Sequence, residues 1–234
     1  MGRRVKKAVY AYGSGGWQLQ KEILFVYDGW NLIQEKEVSG TGDPLFDKFY
    51  VWGLDLSQSI QGAGGIGGLV CRVSGGEVRH YFYDANGNVG QLVDPEDGAI
   101  TTRYEYDPFG NAVVADGIDS EGSGFRFSTK YRDGETKLYY FGFRYYLPEI
   151  GILLRRDPIG ESGGFNLYGF SSNNPNTIVD CSNLYQYIEY FPNTSLRPHT
   201  GVLNFLMRRG FATSSVTPLM YGIKNDGRTV YATF

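Results

Sequence analysis

A short sequence motif, called the repeated phrase below, occurs twice: Tyr83-Asp84-Ala85-Asn86-Gly87-Asn88-Val89 and Tyr106-Asp107-Pro108-Phe109-Gly110-Asn111-Ala112. An earlier stretch begins in the same way, Tyr27-Asp28-Gly29-Trp30-Asn31-Leu32. Asp starts a turn by hydrogen-bonding its own backbone, and Gly supplies a positive φ. Because the phrase returns after roughly 20–25 residues, it has the period of stacked supersecondary units.

Alternating apolar and polar residues flank each phrase. Residues 78–83 and 101–106 come before the two phrases, and residues 89–93 and 112–114 come after them. A period of two predicts strands, so each unit is expected to be a β-hairpin. Its Tyr and Phe side chains need a neighbouring hairpin to cover them. The sequence therefore predicts a strip of antiparallel hairpins.

The composition agrees with many short strands. The 234 residues include 33 Gly, 19 Tyr and 15 Phe. Aromatic residues with frequent Gly turns favour strands over a helical bundle. The expected fold class is mainly β: the strip of hairpins, an irregular core region, and a small C-terminal tail that is α+β or disordered.

Changes in pattern divide the chain into residues 1–116, 117–184 and 185–234. The first part carries the hairpins. The second begins with a polar, Gly/Ser-rich linker at 117–124. It continues with predicted strands at 125–127 and 138–146, joined by a turn at Asp133-Gly134. The third part lacks the repeated phrase, and its best helix candidate is residues 201–209.

Charge and hydropathy exclude several function classes. The net charge of −3 argues against nucleic-acid binding by the whole chain, although the tail carries about +3. No stretch is long and apolar enough for a membrane span. The basic start, Met1 to Lys7, lacks the apolar region of a signal peptide. Cys71 and Cys181 are expected to be unpaired thiols.

Two further stretches resemble RHS/YD-repeat proteins. One is Trp52-Gly53-Leu54-Asp55-Leu56-Ser57-Gln58-Ser59-Ile60-Gln61-Gly62-Ala63-Gly64-Gly65-Ile66-Gly67-Gly68-Leu69. The other resembles the RHS repeat-associated core signature: Asp157-Pro158-Ile159-Gly160, Asn166-Leu167-Tyr168 and Asn173-Asn174-Pro175. The resemblance covers about residues 24–184. It implies YD-repeat hairpins at 1–116, the core domain at 117–184, and a variable tail.

The resemblance also implies a fold and an activity. The chain resembles the C-terminal piece of a bacterial polymorphic toxin or Tc-toxin C component, truncated at its N-terminus. Such proteins form a hollow β-shell, of which this chain would be a part, capped by the core domain. In many members the core is an aspartic autoprotease that frees an enclosed toxin. Asp157 and Asp180 match the two family aspartates, Arg156 precedes the first, and Leu184 matches the residue before the cut.

The chain departs from the family pattern at three positions. Asp-Pro-x-Gly-Leu is usual at the second aspartate, where this sequence has Asp180-Cys181-Ser182-Asn183-Leu184. Asn tolerates the left-handed conformation of Gly at some cost, and loss of Pro frees the backbone after the carboxylate. Ile152 stands where Arg is frequent. Retained and lost autoproteolysis both remain open.

The chemistry of two carboxylates suits peptide hydrolysis, because one can act as base toward water and the other as acid. On the residues alone, Asp157-Pro158-Ile159-Gly160 favours a simple turn, since Asp, Pro and Gly all favour turns. The Gly62–Gly67 and Gly160–Gly164 stretches fit G-x-G-x-x-G and G-x-S-x-G, but neither is followed by a helical pattern. We expect a flexible connector at the first. No metal or organic cofactor is expected.

The expected partners are the chain's own tail and missing upstream repeats. An immunity protein or a cell-surface glycan are further candidates, whereas nucleic acid is not expected. The family suggests an exported or cell-surface location. Two other functions stay open: a carbohydrate- or partner-binding YD-repeat module, and an inactive truncated fragment whose sheet edges would be exposed.

Overall fold

Antiparallel strands dominate the chain. The computed structural model describes residues 3–175, 178–180, 187–192 and 228–230. Its largest sheet has nine strands, each hydrogen-bonded to its neighbours in chain order, which confirms the predicted strip of hairpins and the mainly β fold class. The strands are β1 Lys6–Gly13, β2 Gly16–Asp28, β3 Asn31–Ser39, β4 Pro44–Trp52, β5 Leu69–Ser74, β6 Glu77–Tyr83, β7 Val89–Val93, β8 Ile100–Tyr106 and β9 Ala112–Gly117.

The repeated phrase forms the turns between strands by the same bonds each time. The Asp84 Oδ1 accepts the backbone N–H groups of Asn86 and Asn88, each at 2.9 Å. Its Oδ2 accepts the Asn88 side-chain amide at 2.8 Å. Asp107 binds the matching positions of the second phrase in the same way. Asp and Asn are therefore required because together they close the turn.

One face of the sheet is covered by residues that follow β9 and the predicted linker, which we call the core region. The buried sheet residues pack against Phe125 and Tyr131, which lie beyond the last strand of the sheet. They are Ile23, Phe25, Leu32, Tyr50, Leu69, Tyr81, Val89, Leu92 and Tyr104. Burial of this apolar area is the main stabilising term, at about 25 cal/mol per Å². The strip is thus folded together with the core region.

The Gly-rich connector between β4 and β5 is folded around one carboxylate. The Asp55 Oδ2 accepts the backbone N–H groups of Ala63 at 2.7 Å and Gly65 at 3.1 Å. Its Oδ1 accepts both the N–H and the hydroxyl of Ser57. Ala63 and Ile66 are fully buried. The segment is a connector, as expected, but Asp55 gives it a defined conformation in place of the flexible one.

The predicted linker, residues 117–124, lies as a strap on the sheet. Asp119 accepts hydrogen bonds from Arg72 at 2.7 Å and from Arg79 at 2.9 Å, and both arginines are buried. The Tyr104 hydroxyl donates to the Ser120 carbonyl oxygen at 2.8 Å. The strap, which connects β9 to the core region, is therefore held on the sheet by several side-chain contacts.

The core region contains a four-stranded antiparallel sheet with strands β10 Tyr131–Arg132, β11 Tyr139–Tyr140, β12 Tyr145–Leu147 and β13 Ile152–Leu153. The Asp133-Gly134 turn is confirmed, because the Asp133 N–H donates to the Leu138 carbonyl oxygen. The single strand predicted at 138–146 is wrong. The chain reverses at Gly142, which has a left-handed φ of +79°, and the short strands on either side of it pair antiparallel with each other.

Short 3-10 turns complete the core region: Phe127–Thr129, Pro148–Ile150, Gly160–Gly163 and Ser171–Asn173. The strand predicted at 125–127 is therefore wrong. Phe125 makes a single bridge to Tyr131, and Phe127 begins a turn. Phe127 packs in a second aromatic cluster with Tyr139, Phe141, Tyr146, Leu153 and Phe170. Packing of these rings overrides the local strand preference of the segment.

Three more strands form an antiparallel sheet: β14 Ile178–Asp180, β15 Tyr187–Pro192 and β16 Arg228–Val230. The helix predicted at 201–209 lies outside the described residues. Within the part of the chain that the structure describes, no helix has the length and apolar character needed to cross a membrane.

Candidate functional site

The first candidate carboxylate lies where the core sheet meets the following segment. The Leu153 N–H donates to the Tyr168 carbonyl oxygen at 3.0 Å, and the Asp157 N–H donates to the Leu167 carbonyl oxygen at 2.9 Å. Ile152 bridges to Gly169. These bonds fix the backbone of Asp157 against the chain that leads to β14.

The Asp157 side chain uses its two oxygens differently. The Oδ1 accepts the Ile159 N–H at 3.0 Å, and the Asp157 carbonyl oxygen accepts the Gly160 N–H at 2.9 Å, so the expected turn is present. The Oδ2 forms an ion pair with the Arg144 Nη2 at 3.2 Å. Asp157 is 14% exposed and Arg144 is 4% exposed. The carboxylate is therefore more than a turn-former, because it also meets a buried cation.

Arg144 is the residue that the sequence reading missed. Arg156 was expected to supply the supporting charge, but its side chain is exposed, and among the described ion pairs the partner of Asp157 is Arg144. Arg144 stands within the aromatic run from Tyr139 to Tyr146. A single arginine in so apolar a run is the signal that could have indicated a buried charge with a partner.

The second candidate carboxylate belongs to the last residue of β14. Asp180 pairs in register with Tyr187 of β15. The chain from β14 to β15 therefore contains Leu184, the predicted residue before the cut. Cys181, Asn183 and Leu184 lie outside the described residues. The approach of the Asp157 and Asp180 carboxyl groups stays a prediction.

Other candidate motifs lack the surroundings that their chemistry needs. Within residues 3–175, no helix follows Gly62–Gly67, and Gly160–Gly163 is only a 3-10 turn. A dinucleotide site or a nucleophile elbow requires a helix at that point.

Cys71 is a free, half-buried thiol whose pKa is raised by burial. The described residues contain no group of three or more His, Cys, Asp or Glu that could hold a metal ion.

Comparison with known proteins finds relatives that are toxin proteins. No protein-family model matches the chain. It is 27% identical over 179 residues, or 74% of its length, to double-stranded DNA deaminase toxin A of Burkholderia cenocepacia. It is 41% identical over 87 residues, or 36% of its length, to toxin subunit YenC2 of Yersinia entomophaga. The chain spans only 12% and 9% of these relatives.

A solved structure shares the fold. The crystal structure of TcdB2-TccC3 without its hypervariable C-terminal region matches 78% of this chain, with a TM-score of 0.60 and 26% identity. The match spans 8% of that larger chain. The similarity therefore covers the strip and the core region together.

Proposed function

We propose that this chain forms the end of an enclosing β-shell and cuts itself after Leu184. Its homologues are RHS-repeat, Tc-toxin and other polymorphic-toxin proteins. The hairpin strip would be the last part of the shell wall, and the core region would close it. The tail from residue 185 onward would be the enclosed segment. Whole-protein partners, such as an immunity protein, belong to the same proposal.

The ion pair between Asp157 and Arg144 is the main support for this proposal. Asp157 is an aspartate in a turn, yet its Oδ2 faces the buried guanidinium of Arg144 at 3.2 Å. A turn requires only the first oxygen, which already accepts the Ile159 N–H. Burying an arginine costs free energy unless a partner compensates it. The ion pair therefore gives the Asp157 carboxylate a role beyond closing the turn, and this supports its assignment to the proposed site.

The proposed reaction is hydrolysis by two carboxylates. Asp157 removes a proton from water, whose oxygen attacks the carbonyl carbon of Leu184. Asp180 donates a proton to the carbonyl oxygen. As the tetrahedral intermediate collapses, Asp157 gives the proton that it took from water to the nitrogen of Tyr185, Asp180 takes back a proton from the former carbonyl oxygen, and the C–N bond breaks. The products are a Leu184 carboxylate and a tail that begins at Tyr185.

Intact-mass analysis and N-terminal sequencing of the purified 234-residue chain test this proposal. We expect two fragments, the smaller beginning at Tyr185. Asp157→Asn and Asp180→Asn should leave the chain whole. Arg144→Met should slow the cut at least tenfold, whereas Arg156→Met, which removes the same charge from an exposed site, should leave the rate unchanged.

An uncut wild-type chain, or a cut that survives Asp157→Asn, would contradict the proposal. A chain carrying both Cys181→Pro and Asn183→Gly separates the remaining cases. If only this chain cuts, the departures after Asp180 have silenced the site. If neither cuts and the wild type is insoluble, the inactive fragment is favoured.

A second candidate function is binding of a surface glycan. Tyr12 and Trp17 face each other across the β1–β2 hairpin with ring centroids 5.3 Å apart, and are 73% and 72% exposed. β3 pairs with β2 only from Lys21 onward, so this tip extends past the rest of the sheet. Exposed aromatic rings are suited to stacking on sugars. Glycan-array binding that disappears in Trp17→Ala would favour this function.

A further inference from the structure

A buried guanidinium near the start of the strip is surrounded by aromatic rings of β2 and of the core region. The Arg4 Cζ lies 4.4 Å from the ring centroid of Phe25, 4.8 Å from that of Tyr140 and 5.2 Å from that of Tyr131. The Arg4 Nη1 donates to the Asp133 Oδ2 at 2.7 Å and to the Tyr145 hydroxyl at 3.1 Å. The Arg4 side chain is only 10% exposed.

The surroundings of the three guanidinium nitrogens indicate what the pocket selects. Only Nη1 has hydrogen-bond partners, whereas Nε and Nη2 are buried without any among the described residues. A flat, weakly hydrated guanidinium tolerates this because its faces contact the rings. An ammonium group carries three donors that need partners, so it would lose more on entering the pocket.

The pocket also supplies a compensating negative charge. Burial by itself would lower the pKa of Arg4, but the charge and hydrogen bond of Asp133 raise it above the ordinary value. Asp133 is itself 6% exposed and also accepts a hydrogen bond from Lys7 at 2.9 Å. The carboxylate is therefore built into the pocket rather than left on the surface.

The backbone shows how the cation is presented. The Arg4 N–H donates to the Tyr140 hydroxyl at 2.8 Å, and the Val5 carbonyl oxygen accepts the Phe25 N–H at 3.0 Å. The chain thus runs beside β2 just before β1 begins, with its arginine pointing into the core region. We propose that Phe25, Tyr131, Asp133, Tyr140 and Tyr145 form a guanidinium-binding pocket that recognises an arginine in a segment lying beside β2 and is filled here by Arg4.

Chemical rescue tests the pocket without depending on self-cleavage. Arg4→Ala removes the atoms of ethylguanidinium, so this ion is the matched probe. We expect Arg4→Ala to lower the thermal midpoint by several degrees, and ethylguanidinium to restore part of it with saturation in the millimolar range. Ethylammonium and sodium chloride at equal ionic strength should not restore it. The wild type and Arg103→Ala, which removes an exposed arginine, should not respond.

A double variant and a refolding assay complete the test. Adding Asp133→Asn to Arg4→Ala should abolish the rescue. If Arg4→Ala does not fold, its refolding yield is measured with and without ethylguanidinium, and a rise specific to this ion is expected. Equal rescue by ethylguanidinium and ethylammonium, or no rescue of either the thermal midpoint or the refolding yield, would contradict the proposed pocket.

Discussion

Aspartate side chains organise the chain at the scale of single residues. Asp55, Asp84 and Asp107 each accept several backbone N–H groups and close a turn. Asp157 shares this local chemistry but also pairs with Arg144. The turns could be predicted because their bonds are local. The ion pair could not, since it depends on how two separate segments of the core region meet.

The glycine of the repeated phrase gives a prediction at this scale. Gly87 and Gly98 both have a φ of +74°. A Cβ on Gly87 would overlap the Ile66 Cγ2 and lie 3.1 Å from the Gly67 nitrogen, whereas one on Gly98 would meet nothing within 4 Å. We expect Gly98→Ala to cost about 1 kcal/mol from the backbone alone. Gly87→Ala should cost about 1–3 kcal/mol more because of overpacking.

Urea unfolding at neutral pH measures both costs, with Gly98→Ala as the control for the left-handed conformation. Equal losses in the two variants would show that the Gly-rich connector does not pack tightly against this turn.

At the scale of elements, the strap shows what a sequence pattern leaves out. Residues 117–124 were expected to be a linker from their polar, Gly/Ser-rich composition, which says nothing of what they contact. Asp119 reaches Arg72 and Arg79, which lie on the neighbouring strands β5 and β6. The reversal at Gly142 was missed for a related reason, since an unbroken aromatic run resembles a strand until the ring packing decides.

The strap predicts a pH dependence. Burial alone would raise the pKa of Asp119, but hydrogen bonds and charges from Arg72 and Arg79 lower it below its ordinary value. A lowered folded-state pKa gives stability that is present above the unfolded value of about 3.9 and lost as the pH falls through the folded value. Asp119→Asn should therefore cost about 2 kcal/mol at pH near 7.

The difference between wild type and Asp119→Asn should shrink as the pH falls below about 4. Urea midpoints across this range provide the measurement. Asp116→Asn is the matched control, because Asp116 is exposed on β9 and forms none of the described ion pairs; its cost should stay within about 0.5 kcal/mol. A constant difference at all pH values would assign the effect of Asp119 to packing.

At the scale of the whole molecule, a repeated turn phrase and alternating strands predict a strip, because every pairing in it is between neighbours. The covering of one face by Phe125 and Tyr131 could not be predicted from that pattern. It joins residues far apart in the chain through shape and burial. The ion pair of the candidate site has the same kind of origin, since Arg144 and Asp157 meet through the tertiary fold of the core region and not through a local pattern.

A crystal structure of the uncut Asp157→Asn chain tests most directly whether the fold brings the side chains of residues 157 and 180 together. We expect the side-chain oxygens of residues 157 and 180 to approach to about 3–5 Å, with the Leu184 carbonyl carbon within reach of a water between them. Side chains on separate surfaces, with the Leu184 bond distant from both, would contradict it.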